Sequence, residues 1–221
     1  FSYMFYRAAN FEQDIRVWNV NGVTNDRHFD YMFNLATKML DTYSAPPSNT
    51  VTSAYFYQTL SLKFEHTLNF GVTLPLLGDS NDFVYSVYWG DGTTSNNELT
   101  HTYTSGENTY TAKLVIHSGS VERFGNYYNT WVGYQHLTEV STSSLTDWAL
   151  PGIKSLLYAF YKCEKLVKVP KYLPNTVTNL RSTFYDATKF NYDITNWNTE
   201  NVVIFSYMFY RAANFEQDIR V

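Results

Sequence analysis

VTNLRSTFYDATKFNYDITNWNTEN (residues 177–201) is answered, 25 residues on, by VVIFSYMFYRAANFEQDIRV (202–221). Val177, Leu180, Phe184, Ala187, Phe190, Asp193 and Ile194 recur as Val202, Phe205, Phe209, Ala212, Phe215, Asp218 and Ile219. Apolar positions persist while polar ones drift, as expected of units that each bury one face against their neighbours. Upstream, LLYAFYKCEKLVKVP (156–170) places Phe160, Cys163 and Leu166 at 24 residues before Phe184, Ala187 and Phe190.

A longer period overlies the short one. Residues 1–17 and 205–221 both read FSYMFYRAANFEQDIRV, an offset of 204 without a mismatch. Trp197 plus 25 then falls on the place of Trp18, which is followed by Asn19 as Trp197 is by Asn198. HFDYMFNLA (28–36) sets Phe33 and Ala36 in the same roles after a three-residue insertion. Overlap of one stretch with itself would give the same identity, but the tandem reading, a repeat unit of 204 residues holding at least four turns, is the one carried forward.

Within each turn, a segment such as 205–212 has apolar residues at i, i+4 and i+7, the spacing of one helix face. A short extended piece follows, as at 193–198, with Ile194 directed inward. Such pieces would stack in parallel at about 4.8 Å per turn. Spacings of 24 and 25 fall inside the range of leucine-rich-type repeats of about 20–29 residues. The expectation is an α/β leucine-rich-like solenoid, with Phe and Tyr in many Leu positions.

Residues 60–124 carry a different pattern. LKFEHT, FVYSVYW, LTHTYT and TYTAKLVIHS are rich in Val, Tyr, Thr and Phe, and the turn signals GDSND, GDG and SGEN separate them. These are the marks of antiparallel strands. The expected organisation is the C-terminal part of one solenoid in 1–45, a linker with Pro46 and Pro47 in 46–59, an all-β sandwich in 60–124, and the N-terminal cap and turns of the next solenoid in 125–221.

Composition narrows the function classes. With 44% hydrophobic and 16% charged residues, and with 20 Tyr, 16 Phe and 5 Trp, the chain has the material for aromatic cores rather than for a disordered linker. A formal charge of -4 with no basic run gives no footprint for nucleic acid. No apolar stretch approaches the roughly 20 residues of a membrane-spanning helix. The single Cys163 cannot form an internal disulfide and fits a small buried position better than a nucleophile. His28, His66, His101, His117 and His136 show no zinc-ligand spacing, and no nucleophile-elbow, Walker or dinucleotide motif occurs, so no enzyme is expected.

Two carboxylate groupings merit weighing. Asp91 in the GDG turn could bind calcium with Asp79 and Asp82, since hard cations take several oxygens. A tight turn, with Gly90 and Gly92 supplying unusual φ and Asp91 capping N–H groups, explains the same residues and is preferred. Asp14, Asp193 and Asp218 recur once per turn, where capping of the backbone is favoured over catalysis. Tyrosines could present a glycan-binding face, although covering grooves between turns is the preferred role.

VYWGDGTTS (87–95) followed by LTHTYTSGENTYTAKLVI (99–116) resembles the PKD domain, through Trp89, Gly90, Asp91, Gly92, His101, Thr102, Tyr103, Gly106, Tyr110, Thr111 and Leu114. That resemblance implies an Ig-like sandwich serving as an extracellular spacer or binding module. FNYDITNWNTENV (190–202) and FEQDIRVWNVNGV (11–23) resemble the BspA-like surface-protein repeat also known from mycoplasma lipoproteins, with Gly22 standing where the pattern has Asn. The resemblances imply a long extracellular fibre, stalk or surface adhesin. The sequence opens and closes at the same point of the repeat with no polar capping turn, so the expected partners are copies of itself. The alternative is a cell-surface adhesin module gripping a glycan or host protein.

Overall fold

The structure, a computed structural model, describes residues 1–11, 13, 15, 26–39, 58–65, 69–78, 83–104, 109–126, 130–143 and 148–219. Trp18, Asp14, Asp79, Asp82 and nearly all of the expected linker lie outside the described residues. The chain forms two compact units, Phe1–Gln58 and Thr59–Val221.

Among the described residues of the larger unit, nine strands form antiparallel sheets: β1 (Thr59–Glu65), β2 (Phe70–Thr73), β3 (Leu76–Leu77), β4 (Val84–Tyr88), β5 (Thr94–Asn96), β6 (Thr100–Tyr103), β7 (Thr109–Ser118), β8 (Arg123–Phe124) and β9 (Leu137–Thr142). The main sheet has the order β5-β4-β7-β1-β9, while β2 pairs with β6 and β3 with β8. Alternation places Leu60, Leu62 and Phe64 of β1 inside and Lys63 outside, where its Nζ meets Glu139 of β9 at 2.7 Å. The edge strand β9 lies beyond the expected 60–124 boundary. One apolar core runs from Leu60 in β1 to Met208 in the repeats, so the sheets and the repeats of this unit fold on common ground. Trp131 joins them, packing edge-on to Phe64 and donating its indole N–H to the Ala159 carbonyl at 2.9 Å.

The expected α/β leucine-rich-like solenoid is not formed. Among the described residues the helical pieces are 3-10 turns at Asp26–Phe29 and Tyr134–His136 and a few residues at 37–39, none of them in the 150–219 repeats. Nor, among the described residues, do parallel strands form there; the β-pairing between these segments is confined to isolated bridges, Ser155 with Asn179 and Asn179 with Ile204. The physical reason lies in where the amides point. Ala159, Tyr161 and Cys163 donate to carbonyls three residues back, while Leu156, Tyr158, Phe160 and Lys162 donate sideways to Asn179, Arg181, Thr183 and Tyr185. Past its first turn a helix would use every N–H internally. Here alternate ones go to the neighbouring segment, and Tyr158, Lys162, Ser182 and Asp186 take positive φ of 55°, 60°, 53° and 54° to allow it. Such a conformation costs roughly 1–2 kcal/mol per non-glycine residue, which lateral bonds worth about 0.5–1.5 kcal/mol each offset.

The smaller unit repeats this arrangement. Tyr3, Phe5 and Arg7 donate sideways to the carbonyls of Asp30, Met32 and Asn34, with Tyr3 and Arg7 again at positive φ. Phe29, Met32, Phe33 and Ala36 are fully buried.

Candidate functional site

Aromatic rings at the repeat spacing stack through the larger unit. Phe160, Phe184 and Phe209 follow one another with centroids 5.5 Å apart at each step, and Phe190 stacks on Phe215 at 5.7 Å. Outside them Tyr161, Tyr185 and Tyr210 form a second row at 4.9 and 4.7 Å. Phe160, Phe184 and Phe190 are fully buried and Trp197 nearly so, its indole N–H held by the Pro170 carbonyl at 3.0 Å. Phe209 and Phe215 are only partly buried. Phe33 stacks on Phe5 in the smaller unit.

An apolar groove lies beside Phe209. Ile194, Trp197, Phe205, Tyr207, Met208 and Ile219 line a groove of ≈ 460 Å³. Among the described residues no backbone carbonyl accepts from the N–H of Tyr207, Phe209 or Arg211, although their counterparts one segment earlier, Ser182, Phe184 and Asp186, donate to Ser206, Met208 and Tyr210.

Because 1–17 and 205–221 are identical, the structure holds the same sequence in two surroundings. Met208 is 8% exposed beneath the segment that precedes it, whereas Met4, at the equivalent place, is 51% exposed. The other face is reversed: Ile15 is 3% exposed and Ile219 is 48% exposed. One copy of the segment thus has its carbonyl-bearing face covered, and the other its N–H-bearing face.

The GDG turn is the second candidate. Asp91 Oδ1 accepts from the N–H of Thr93 at 3.0 Å and from its hydroxyl at 2.6 Å, and Oδ2 lies 2.7 Å from His101 Nε2. Burial works to raise the Asp91 carboxyl, but the hydrogen bonds from Thr93 and His101 outweigh it and hold the group below its ordinary value. His101 stacks on Trp89 at 4.8 Å, and Tyr103 donates its hydroxyl to the Trp89 carbonyl at 2.8 Å. Burial, then the nearby Asp91 and Tyr110, push the Tyr103 phenol upward. Gly90 sits at φ +87°, and a Cβ there would come within 2.7 Å of the Thr111 carbonyl oxygen. Gly92, at φ +88°, has open space around it. Thr93 and His101 engage both oxygens of Asp91 and brace the turn; Asp79 and Asp82, the other candidate calcium ligands, lie outside the described residues.

Asp193 repeats the Asp91 device, its Oδ1 accepting from the N–H of Thr195 at 2.9 Å and from the hydroxyl at 2.7 Å. These bonds lower its carboxyl below the ordinary value. Asp218 is exposed. Cys163 is wholly buried, which pushes its thiol well up and suits a filler. Sequence reasoning missed Thr183, buried with its hydroxyl donating to the carbonyls of Leu156 at 3.0 Å and Leu180 at 2.7 Å. It also missed the positive-φ positions of the repeat segments, Tyr158, Lys162, Ser182, Asp186, Tyr207 and Arg211, none of which is Gly or Asn.

Fold and site together define a mainly β protein whose aromatic repeat segments pack in register. The chain belongs to the family described as Mycoplasma protein of unknown function, DUF285, whose model matches residues 1–69 and 132–221, more than half of its length. This overturns the assignment to a leucine-rich-like surface repeat joined to a PKD-like domain: the family matched is one of unknown function, and the described residues are mostly β-sheet with almost no helix and no leucine-rich-like solenoid. No curated protein and no solved structure matches the chain.

Proposed function

We propose that the chain is a structural repeat module of a long extracellular fibre, stalk or surface adhesin, in which copies follow one another head to tail. The observation that carries the reading is the exact recurrence of residues 1–17 as 205–221, in a chain whose segments bond laterally to their neighbours: Tyr3, Phe5 and Arg7 donate to the carbonyls of Asp30, Met32 and Asn34 as Ser182, Phe184 and Asp186 donate to those of Ser206, Met208 and Tyr210. Each such segment buries its rings only against a neighbouring segment, which suits copies that follow one another along a fibre. The lateral bonding needs only a neighbour of like sequence, so modules add without a dedicated adaptor.

Intact-mass measurement and electron microscopy of material from the source cells test the reading. The expected results are a polypeptide holding several copies and fibres with a regular axial repeat. Protease treatment of intact cells should release peptides of this sequence. Discrete particles built from single-copy polypeptides, or peptides released only after lysis, would refute it.

A further inference from the structure

A groove apart from the ring rows crosses one corner of the larger unit, where three successive repeat segments meet. Trp148, Tyr172 and Trp197 each stand 12 residues before Phe160, Phe184 and Phe209, so they are counterparts. Trp148 and Trp197 turn inward, 0% and 4% exposed, and their rings meet at 6.0 Å. Their indole N–H groups donate to the carbonyls of Tyr172 and Pro170 at 2.9 and 3.0 Å. The two indoles take up the inner space, and Tyr172 turns outward, 38% exposed.

Beside Tyr172 lies a groove of ≈ 560 Å³, within the range of about 300–1,000 Å³ usual for small-ligand sites. Every lining residue falls between 150 and 198, within one compact unit. The buried Leu150, Leu173 and Pro174 give it an apolar floor, and the exposed Asn175, Asn196 and Asn198 a polar rim. Among the described residues no hydrogen-bond partner reaches the Tyr172 hydroxyl or the side-chain amides of Asn175 and Asn196. Asn198 Oδ1 accepts from the N–H of Glu200 at 3.0 Å, which pins that amide and leaves its NH2 group open. No Asp, Glu, Lys or Arg lines the groove; Lys171 Nζ lies 5.1 Å from the centre of the Tyr172 ring without joining the lining.

We propose that this groove binds a neutral oligosaccharide, with a pyranose lying against Tyr172 and the amides of Asn175, Asn196 and Asn198 bonding its hydroxyls. The chemistry selects that class of ligand. A pyranose has C–H patches that lie on an apolar or aromatic surface, and Tyr offers such area with a polar tip. Each of its hydroxyls both donates and accepts, as an Asn amide does through its NH2 and its carbonyl. A charged ligand would call for an opposite charge in the lining, and there is none.

The test is binding of the full chain to immobilised maltotriose, cellotriose, chitotriose and lactose-based glycans, with sialylated and sulfated glycans alongside. Retention on one or more of the neutral chains is expected. The retained oligosaccharide is then titrated in solution by tryptophan fluorescence, since Trp148 and Trp197 pack beneath the groove. Tyr172→Ala and Asn196→Ala should each weaken binding about tenfold, the loss of one ring contact or of one amide's bonds. Asn196 is exposed and without a partner among the described residues, so Asn196→Ala should keep the urea midpoint of the unchanged chain and its loss of binding reads on the site alone. Retention of no neutral glycan, retention of acidic glycans only, or variants that bind as the unchanged chain does would overturn the site. Competition by the free monosaccharide as strong as by the oligosaccharide would overturn the assignment to a chain of sugars. The site does not depend on the head-to-tail reading: fibres without glycan binding sink the site alone, and glycan binding without fibres sinks the fibre alone.

Discussion

Phe184→Ala examines whether the ring row is the backbone of the repeats' stability. Phe184 is fully buried and meets four rings: Phe190 at 4.0 Å, Phe160 and Phe209 at 5.5 Å, and Trp197 at 5.8 Å. Truncating a buried Phe costs about 3–5 kcal/mol, and stacked neighbours add about 0.5–1.5 kcal/mol for each well-formed pair. With rings on several sides the cavity cannot collapse easily, so the upper end, about 4–5 kcal/mol, is expected. At a urea dependence of about 2 kcal/mol per molar, this moves the unfolding midpoint down by about 2 M. Tryptophan fluorescence reports on the larger unit, which holds Trp89, Trp131, Trp148 and Trp197 of the five tryptophans. Phe215→Ala is the control: its ring stacks on Phe190 and Phe209 at the open end and is only partly buried. About half the loss is expected there. If Phe184→Ala cost no more than Phe215→Ala, the argument that stability rests on the enclosed ring row would fail.

Two further outcomes follow from the buried groups. The Asp91 carboxyl is held below its ordinary value in the folded chain, so it contributes stability that is complete above the unfolded value near about 3.9 and is lost as pH falls through the folded value. Asp91→Asn should therefore be less stable at neutral pH and show a shallower decline below about pH 4; thermal unfolding measured across that window checks it, and equal slopes for both chains would refute the assignment. Cys163, enclosed and with its thiol pushed up by burial, should resist a thiol reagent in the native chain and react promptly in urea. Rapid native labelling would show that the site opens.

The 25-residue period, the inward positions Phe160, Phe184 and Phe190, and the strand-rich stretch around Trp89 were legible because burial constrains which positions must be apolar. The backbone path between those positions was not. Apolar residues at i, i+4 and i+7 satisfy a helix, and they equally satisfy a ribbon of three-residue turns in which Tyr207 and Arg211 adopt positive φ. Nothing at Tyr207 or Arg211 announces that conformation, because it is held by lateral bonds to a neighbour rather than by a local preference. The GDG turn shows the same division. Its glycines announced a tight turn, but only the assembled sheets bring His101 to Asp91.

Sequence by itself determined the repeat lengths, the aromatic core and the identity of residues 1–17 with 205–221. Tertiary structure decided which amides bond within a segment and which bond across to the next. Periodicity records which side chains leave water, whereas the partner of a backbone N–H depends on what lies beside it, and that is settled only when the neighbour is in place.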